Sequence, residues 1–210
     1  MKRLVWCVSA LVLLAVNQAA ANSIVDPSFE NQITFDGPPF VGTWEGFNGG
    51  AGSEAINGTV MPRTGTLHLA LSIFGVNNSF AGAFQDVAVV AGTNYTFSGW
   101  HKTPSNPLDV GVEFRIEWRN TGSNSEISRT PNSTTAPTSD YSQFMLSAAA
   151  PAGADTARLV YAIQTFGGDG PTNTGTVFVD DVSFVVPEPA SVGMAMIAGI
   201  SLLAIRRRMA

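Results

Sequence analysis

The chain has 210 residues, 16 acidic and 11 basic side chains, and one cysteine. Setting aside the ends, with Lys2, Arg3, Glu188, Arg206, Arg207 and Arg208, leaves 15 acidic against 6 basic residues over 22–186, a balance of −9. That balance excludes a surface built to neutralise nucleic-acid phosphates, and the lack of any cysteine beyond Cys7 excludes disulfides and thiolate sites there.

The N-terminus comes first in chain order. Lys2 and Arg3 precede an apolar stretch, residues 4–16, whose single polar residue is Ser9. Ala19-Ala20-Ala21 then offers the small-x-small pattern that signal peptidase accepts, so residues 1–21 read as a signal peptide cleaved after Ala21. The alternative is an N-terminal anchor, for which the apolar run is short. Cys7 lies inside that run and not at the cleavage point, so it reads as an apolar residue.

Residues 22–186 then alternate in the manner of strands, with no helical period. Leu67, Leu69 and Leu71 alternate with His68 and Ala70. Gln85, Val87 and Val89 alternate with Asp86 and Ala88. Tyr95, Phe97 and Gly99 alternate with Thr96, Ser98 and Trp100, and the short link Ala91-Gly92-Thr93-Asn94 between these two runs predicts a hairpin. The clearest run is 110–118, where Val110, Val112, Phe114, Ile116 and Trp118 oppose Gly111, Glu113, Arg115 and Glu117. Residues 120–140 are polar and predict long loops with one short edge strand. Leu159, Tyr161 and Ile163 form a further run, ending at Gln164. In the last run Phe178, Asp180, Val182 and Phe184 fall on one face, opposite Val177 and Val179. Short alternating runs between Gly, Pro, Asn and Ser clusters predict an all-β sandwich.

The C-terminus repeats the logic of the start in reverse. Pro187-Glu188-Pro189 leads into the apolar residues 190–205 and then Arg206, Arg207 and Arg208. Sixteen helical residues would cover about 24 Å, less than a hydrocarbon core of about 30 Å. The arginines would remain cytoplasmic.

Two resemblances sharpen this reading. The Pro187-Glu188-Pro189 motif, apolar helix and arginine cluster resemble the PEP-CTERM sorting signal of Gram-negative bacteria. That resemblance implies processing by exosortase and transient inner-membrane anchoring through 190–205. It also implies a destination at the cell surface or in an exopolysaccharide matrix. A plain tail anchor is the alternative. The body, 22–186, carries Asp26-Pro27-Ser28-Phe29-Glu30, Gly65-Thr66-Leu67-His68-Leu69 and Gln85-Asp86-Val87. It continues with Tyr95-Thr96-Phe97-Ser98-Gly99-Trp100 and ends Val177-Phe178-Val179-Asp180-Asp181-Val182-Ser183-Phe184. It resembles the galactose-binding-like jelly rolls, and most the carbohydrate-binding modules of the family 4/9 type. That resemblance implies a jelly-roll β-sandwich, polysaccharide as ligand, and a structural calcium ion held by Glu30 and by Asp180 or Asp181.

Candidate chemistry follows from the residues. No Gly-x-Ser-x-Gly elbow, HExxH helix or phosphate-cradling glycine loop is present, so no catalytic residues are assigned. Glu113 and Glu117, four apart on one strand, would stand about 13 Å apart, too far for the usual glycosidase pair. Trp100 is out of phase with Tyr95 and Phe97 and faces away from the core. If its strand neighbours 110–118, then Trp100, Lys102, Glu113, Arg115 and Glu117 share one polar sheet face, with Gln164 at its margin. An aromatic platform among hydrogen-bonding side chains is what a sugar ligand requires. Trp118 reads as core and Trp44 as a loop-borne contact. The competing readings are a structural or adhesive surface protein that binds no sugar, and a glycan-active hydrolase.

Overall fold

The alternating runs fold as β-strands because β-branched and aromatic side chains suit a pleated surface with one buried side. The computed structural model describes residues 21–167 and 170–187. The expected signal peptide cleavage, membrane segment and arginine cluster fall on residues outside that description, except for Ala21 and Pro187. Among the described residues no helix is long and apolar enough to cross a membrane.

Among the described residues ten strands form two five-stranded antiparallel sheets. The first has the order β1 (Glu45–Asn48), β4 (Phe80–Ala88), β9 (Thr156–Gln164), β6 (Gly111–Asn120), β7 (Ser125–Arg129). The second has the order β2 (Ser53–Gly58), β3 (His68–Phe74), β10 (Thr174–Val185), β5 (Asn94–Lys102), β8 (Ser142–Ala149). They are called below the β9 sheet and the β10 sheet, after their central strands. The expected all-β sandwich is therefore the observed fold.

The core lies between the sheets. The alternating residues Leu69, Leu71 and Ile73 of β3, Phe97 of β5, Phe114 and Ile116 of β6, and Leu159 and Ile163 of β9 are fully buried there. Each such side chain contributes about 1.5–3 kcal/mol on leaving water. His101 is also buried in this layer, its Nδ1 2.7 Å from the Tyr161 hydroxyl. His68 is buried on the other side of the β10 sheet, its ring 4.4 Å from that of Phe178, with no hydrogen-bond partner on either nitrogen.

Three expectations need correction. The link at residues 91–94 does not close a hairpin: β4 pairs with β1 and β9, and β5 with β10 and β8. The chain crosses there from one sheet to the other. The two runs are close in sequence, but both must turn an apolar side inward, and facing sheets satisfy that as well as pairing does.

The last run does not keep one phase. A bulge in β10 between Asp180 and Ser183 places Asp181 at φ 47°, in the left-handed region. The extra residue flips the alternation, so Val177, Val179, Val182 and Phe184 all face the core while Phe178 and Asp180 face outward. Trp44 is core and not a loop contact. It is 2% exposed, its ring lies 4.6 Å from that of Phe29, and its indole N–H donates to the Asp26 carbonyl at 3.0 Å.

The polar stretch 120–140 is loop apart from the edge strand β7, as its composition predicts. The N-terminal segment runs beside β10: Ser23 N–H donates to the Phe184 carbonyl at 3.0 Å, and Val182 N–H to the Pro27 carbonyl at 2.9 Å.

Candidate functional site

The sheet order divides the expected sugar face in two. Trp100 and Lys102 stand on β5, in the β10 sheet, whereas Glu113, Arg115 and Glu117 stand on β6, in the β9 sheet. Both sets point outward, on opposite sides of the sandwich. The shared face required β5 and β6 to be neighbours. Alternation fixes which way each side chain points but not which strand lies beside it.

Gln164 does join the β6 set, because Gly111 and Phe80 are its partners across the β9 sheet. Successive rows across that sheet's outer face can be read from the register. One row runs Phe47, Gly82, Ala162, Glu113; the next Glu45, Phe84, Val160, Arg115; the next Asp86, Arg158, Glu117, Arg129.

One half of this face is aromatic. Phe166, Phe80, Phe47, Phe84 and Phe40 form a continuous strip, with ring centroids 6.0, 6.0, 6.3 and 5.0 Å apart in that order. Phe166 is 58% exposed and Phe40 37%, so the strip is open at both ends. Gly82 makes it possible for Phe47 to lie on the sheet, since a Cβ there would strike the Phe47 ring and stand 2.7 Å from the Tyr161 carbonyl oxygen. Between Phe40 and β4 lies a cleft of about 320 Å³, bordered by Glu45, Phe84 and Asp86. That is the lower end of the range for small-ligand sites.

The other half is a web of ions. The Arg115 guanidinium donates to Glu113 at 2.6 Å and to Glu117 at 2.8 Å. Arg129 grips Glu126 through two bonds of 2.7 and 2.6 Å and stands 3.6 Å from Glu117, and Asn132 donates to Glu113 at 2.5 Å. These bonds hold the Glu126 carboxyl below the usual range, the Arg129 hydrogen bond being the main cause. Arg158 joins the two halves. It forms a fork with Asp86, both bonds 2.8 Å, and its guanidinium lies 3.9 Å over the Phe84 ring. Rigid donors and acceptors beside an apolar strip can bind a ring that has one apolar face and a hydroxyl-bearing edge.

The aromatic strip escaped the sequence reading, although its signal was present. Extending the phase of Gln85 and Val87 backwards puts Phe80 and Phe84 on the opposite side, with Asp86. Phe47 carried no such signal, because its strand has only four residues.

On the opposite face Trp100 is half-buried and capped. Residues 59–67 link β2 to β3, and Arg63 from this loop stacks on the Trp100 ring at 4.1 Å. Lys102 lies 5.3 Å over the Tyr141 ring.

The three carboxylates expected to hold calcium, Glu30, Asp180 and Asp181, all engage this same loop. Glu30 accepts from Thr66 N–H at 2.9 Å, Leu67 N–H at 3.0 Å and the Thr66 hydroxyl at 2.7 Å, and the hydroxyl bond leads in lowering its pKa. Asp180 accepts from Arg63 N–H at 2.7 Å, Thr64 N–H at 3.1 Å and Asp181 N–H at 2.8 Å. Asp181 accepts from the Ser28 hydroxyl at 2.8 Å, the Thr64 hydroxyl at 2.5 Å and the Arg63 guanidinium. Burial raises Asp180 to a pKa of about 6. Burial also opposes the charge on Asp181, but the Thr64, Arg63 and Ser28 donors outweigh it and its pKa falls. No group of three acidic, histidine or cysteine side chains is placed to share an ion among the described residues. Calcium binds through oxygen lone pairs, and these oxygens face N–H and O–H donors, so the donor set does not fit the ion.

No protein-family model and no curated protein matches the chain. Among solved structures it is similar to the CBM22-1 xylan-binding domain from Paenibacillus barcinonensis Xyn10C, at 16% identity and TM-score 0.54, over 82% of this chain and 99% of that one. It is also similar to the family 11 carbohydrate-binding module of the cellulosomal cellulase Lic26A-Cel5E of Clostridium thermocellum, at 14% identity and TM-score 0.51, over 82% and 99%. A third similar structure is the enzymatically active domain of bacteriophage CBA120 tailspike protein 4, at 15% identity and TM-score 0.54, over 79% of this chain. The match covers only 21% of that tailspike chain. At these identities the likeness establishes the sandwich fold.

Proposed function

We propose that this is an exported, non-catalytic protein whose sandwich binds polysaccharide on the outer face of the β9 sheet. The observation that carries the reading is the strip Phe80, Phe47, Phe84 running beside the Glu113, Arg115, Glu117 web, with Gln164 at its margin. The neighbours in the β-sandwich fold include modules named for xylan and other carbohydrates, which supports the class of ligand. Export rests on the signal peptide expected at 1–21. Exosortase processing and a cell-surface or matrix location rest on Pro187, Glu188, Pro189 and the arginines at 206–208. Calcium has no part in this reading.

The test is retention of the full chain on a panel of immobilised polysaccharides, including the exopolysaccharide of its own host. Phe47→Ala and Phe84→Ala should each weaken retention about tenfold, equivalent to about 1.4 kcal/mol. Trp100→Ala, on the opposite face, should leave it unchanged. No retention on any polysaccharide would sink the binding reading and favour a structural surface protein. Loss on Trp100→Ala alone would move the site to the β10 sheet.

A further inference from the structure

Residues 59–67 form a strap across the outer face of the β10 sheet, and the carboxylates of Glu30, Asp180 and Asp181 fasten it. They come from the two ends of the fold, Glu30 just after the N-terminal segment and the aspartates from the last strand. A hard cation at such a junction needs six to eight oxygens directed at it. Here the strap turns N–H groups of Arg63, Thr64, Thr66 and Leu67 toward the carboxylates instead. Gly65, at φ 61°, permits this turn, because a Cβ there would collide with a Glu30 carboxylate oxygen. Backbone dipoles supply partial positive charge, and the Arg63 guanidinium supplies the formal one.

We infer that Arg63 occupies the role that calcium holds in the modules this body resembles, so that the junction of the first and last segments closes without a divalent ion. The same guanidinium stacks on Trp100, so fastening the strap and covering that tryptophan are one event. Arginine suits both tasks at once: its planar fork bonds the Asp181 carboxylate at its edge and stacks an indole with its face. The inference is independent of where polysaccharide binds.

The experiment is thermal unfolding of the full chain in EDTA and in millimolar calcium, alongside Arg63→Ala and Arg63→Lys. The wild-type melting temperature should be the same in both conditions. Arg63→Ala should lower it by several degrees, with Arg63→Lys between the two. Trp44 and Trp118 are 2% and 3% exposed and Trp6 is common to both proteins, so acrylamide quenching gained in Arg63→Ala over the wild type reports the uncovering of Trp100. A rise of several degrees in the wild type on adding calcium would overturn the inference, since a saturated structural ion stabilises by mass action. That arm decides the matter even if the variants do not fold. A melting temperature and quenching unaltered in Arg63→Ala would equally overturn it.

Discussion

Phe84 and Trp100 each carry a guanidinium, Arg158 at 3.9 Å over one ring and Arg63 at 4.1 Å over the other. The difference lies in what surrounds them. Arg158 sits on the sheet itself, one row from Phe84, and its guanidinium also lies 5.0 Å over the Phe40 ring. Arg63 arrives on a loop and lies across the ring. Trp100 was legible as an outward aromatic from its phase with Tyr95 and Phe97. Its cover was not, because nothing in the spacing of Arg63 and Trp100 reveals that they meet. Gly82 gives a prediction at this scale. A side chain there must displace the Phe47 ring and crowd the Tyr161 carbonyl and the Ala162 methyl, the last at 2.8 Å. Gly82→Val should cost about 1–3 kcal/mol of overpacking in urea unfolding. It should also weaken polysaccharide retention more than Gly82→Ala does.

Among the elements, β10 departs furthest from its sequence pattern. Each strand's alternation told which residues face inward; for β5, and for β6 apart from Glu117, the burial alternates with it, whereas β3 and β9 are buried on both faces. It did not tell which strands are neighbours, since a period of two is blind to pairing. Hence the crossing at 91–94 and the separation of β5 from β6 were illegible. The bulge at Asp180–Ser183 was illegible for another reason: Asp-Asp carries no bulge signal as a glycine would. Asp181 bears two loads there, a left-handed backbone and the bonds to Arg63, Thr64 and Ser28. Comparing Asp181→Gly with Asp181→Ala separates them, because both lose the carboxylate and only alanine pays for the backbone. Asp181→Gly should be the more stable by about 1 kcal/mol in equilibrium unfolding. Equal stabilities would mean that the backbone at this position relaxes.

Taken as a whole, the sandwich hides three titratable groups whose protonation bears on its stability in mild acid. Burial lowers His101 to a pKa of about 4, and burial with repulsion from Lys102 does the same to His68. Both folded values lie below the unfolded value of about 6.5, so their contribution is full above that pH and lost as the pH falls toward 4. Asp180, raised to about 6, works the other way: its burial penalty is present above pH 6 and relieved as the pH falls toward the unfolded value. Two histidines oppose one aspartate, each by about 3 kcal/mol, so the fold should lose about 3 kcal/mol between pH 7 and pH 4. Denaturant unfolding at both pH values measures this. A flat profile over that window would mean that the histidines find solvent or a partner when protonated. The paired carboxylates with lowered pKa, Glu30, Glu126, Asp155 and Asp181, begin to add their loss as the pH falls through the ordinary carboxylate range and complete it in stronger acid.

The position of β10 between β3 and β5 also determines how the protein bears a mechanical load. The chain leaves the sandwich from the end of this central strand. Tension applied beyond Pro187 therefore runs along β10, parallel to the strand and across the hydrogen bonds to both its neighbours. Those bonds must fail together in shear, where an edge strand would peel away one bond at a time. The N-terminal segment, bonded to the same strand at Phe184 and Val182, adds a further lashing at the point where the force enters.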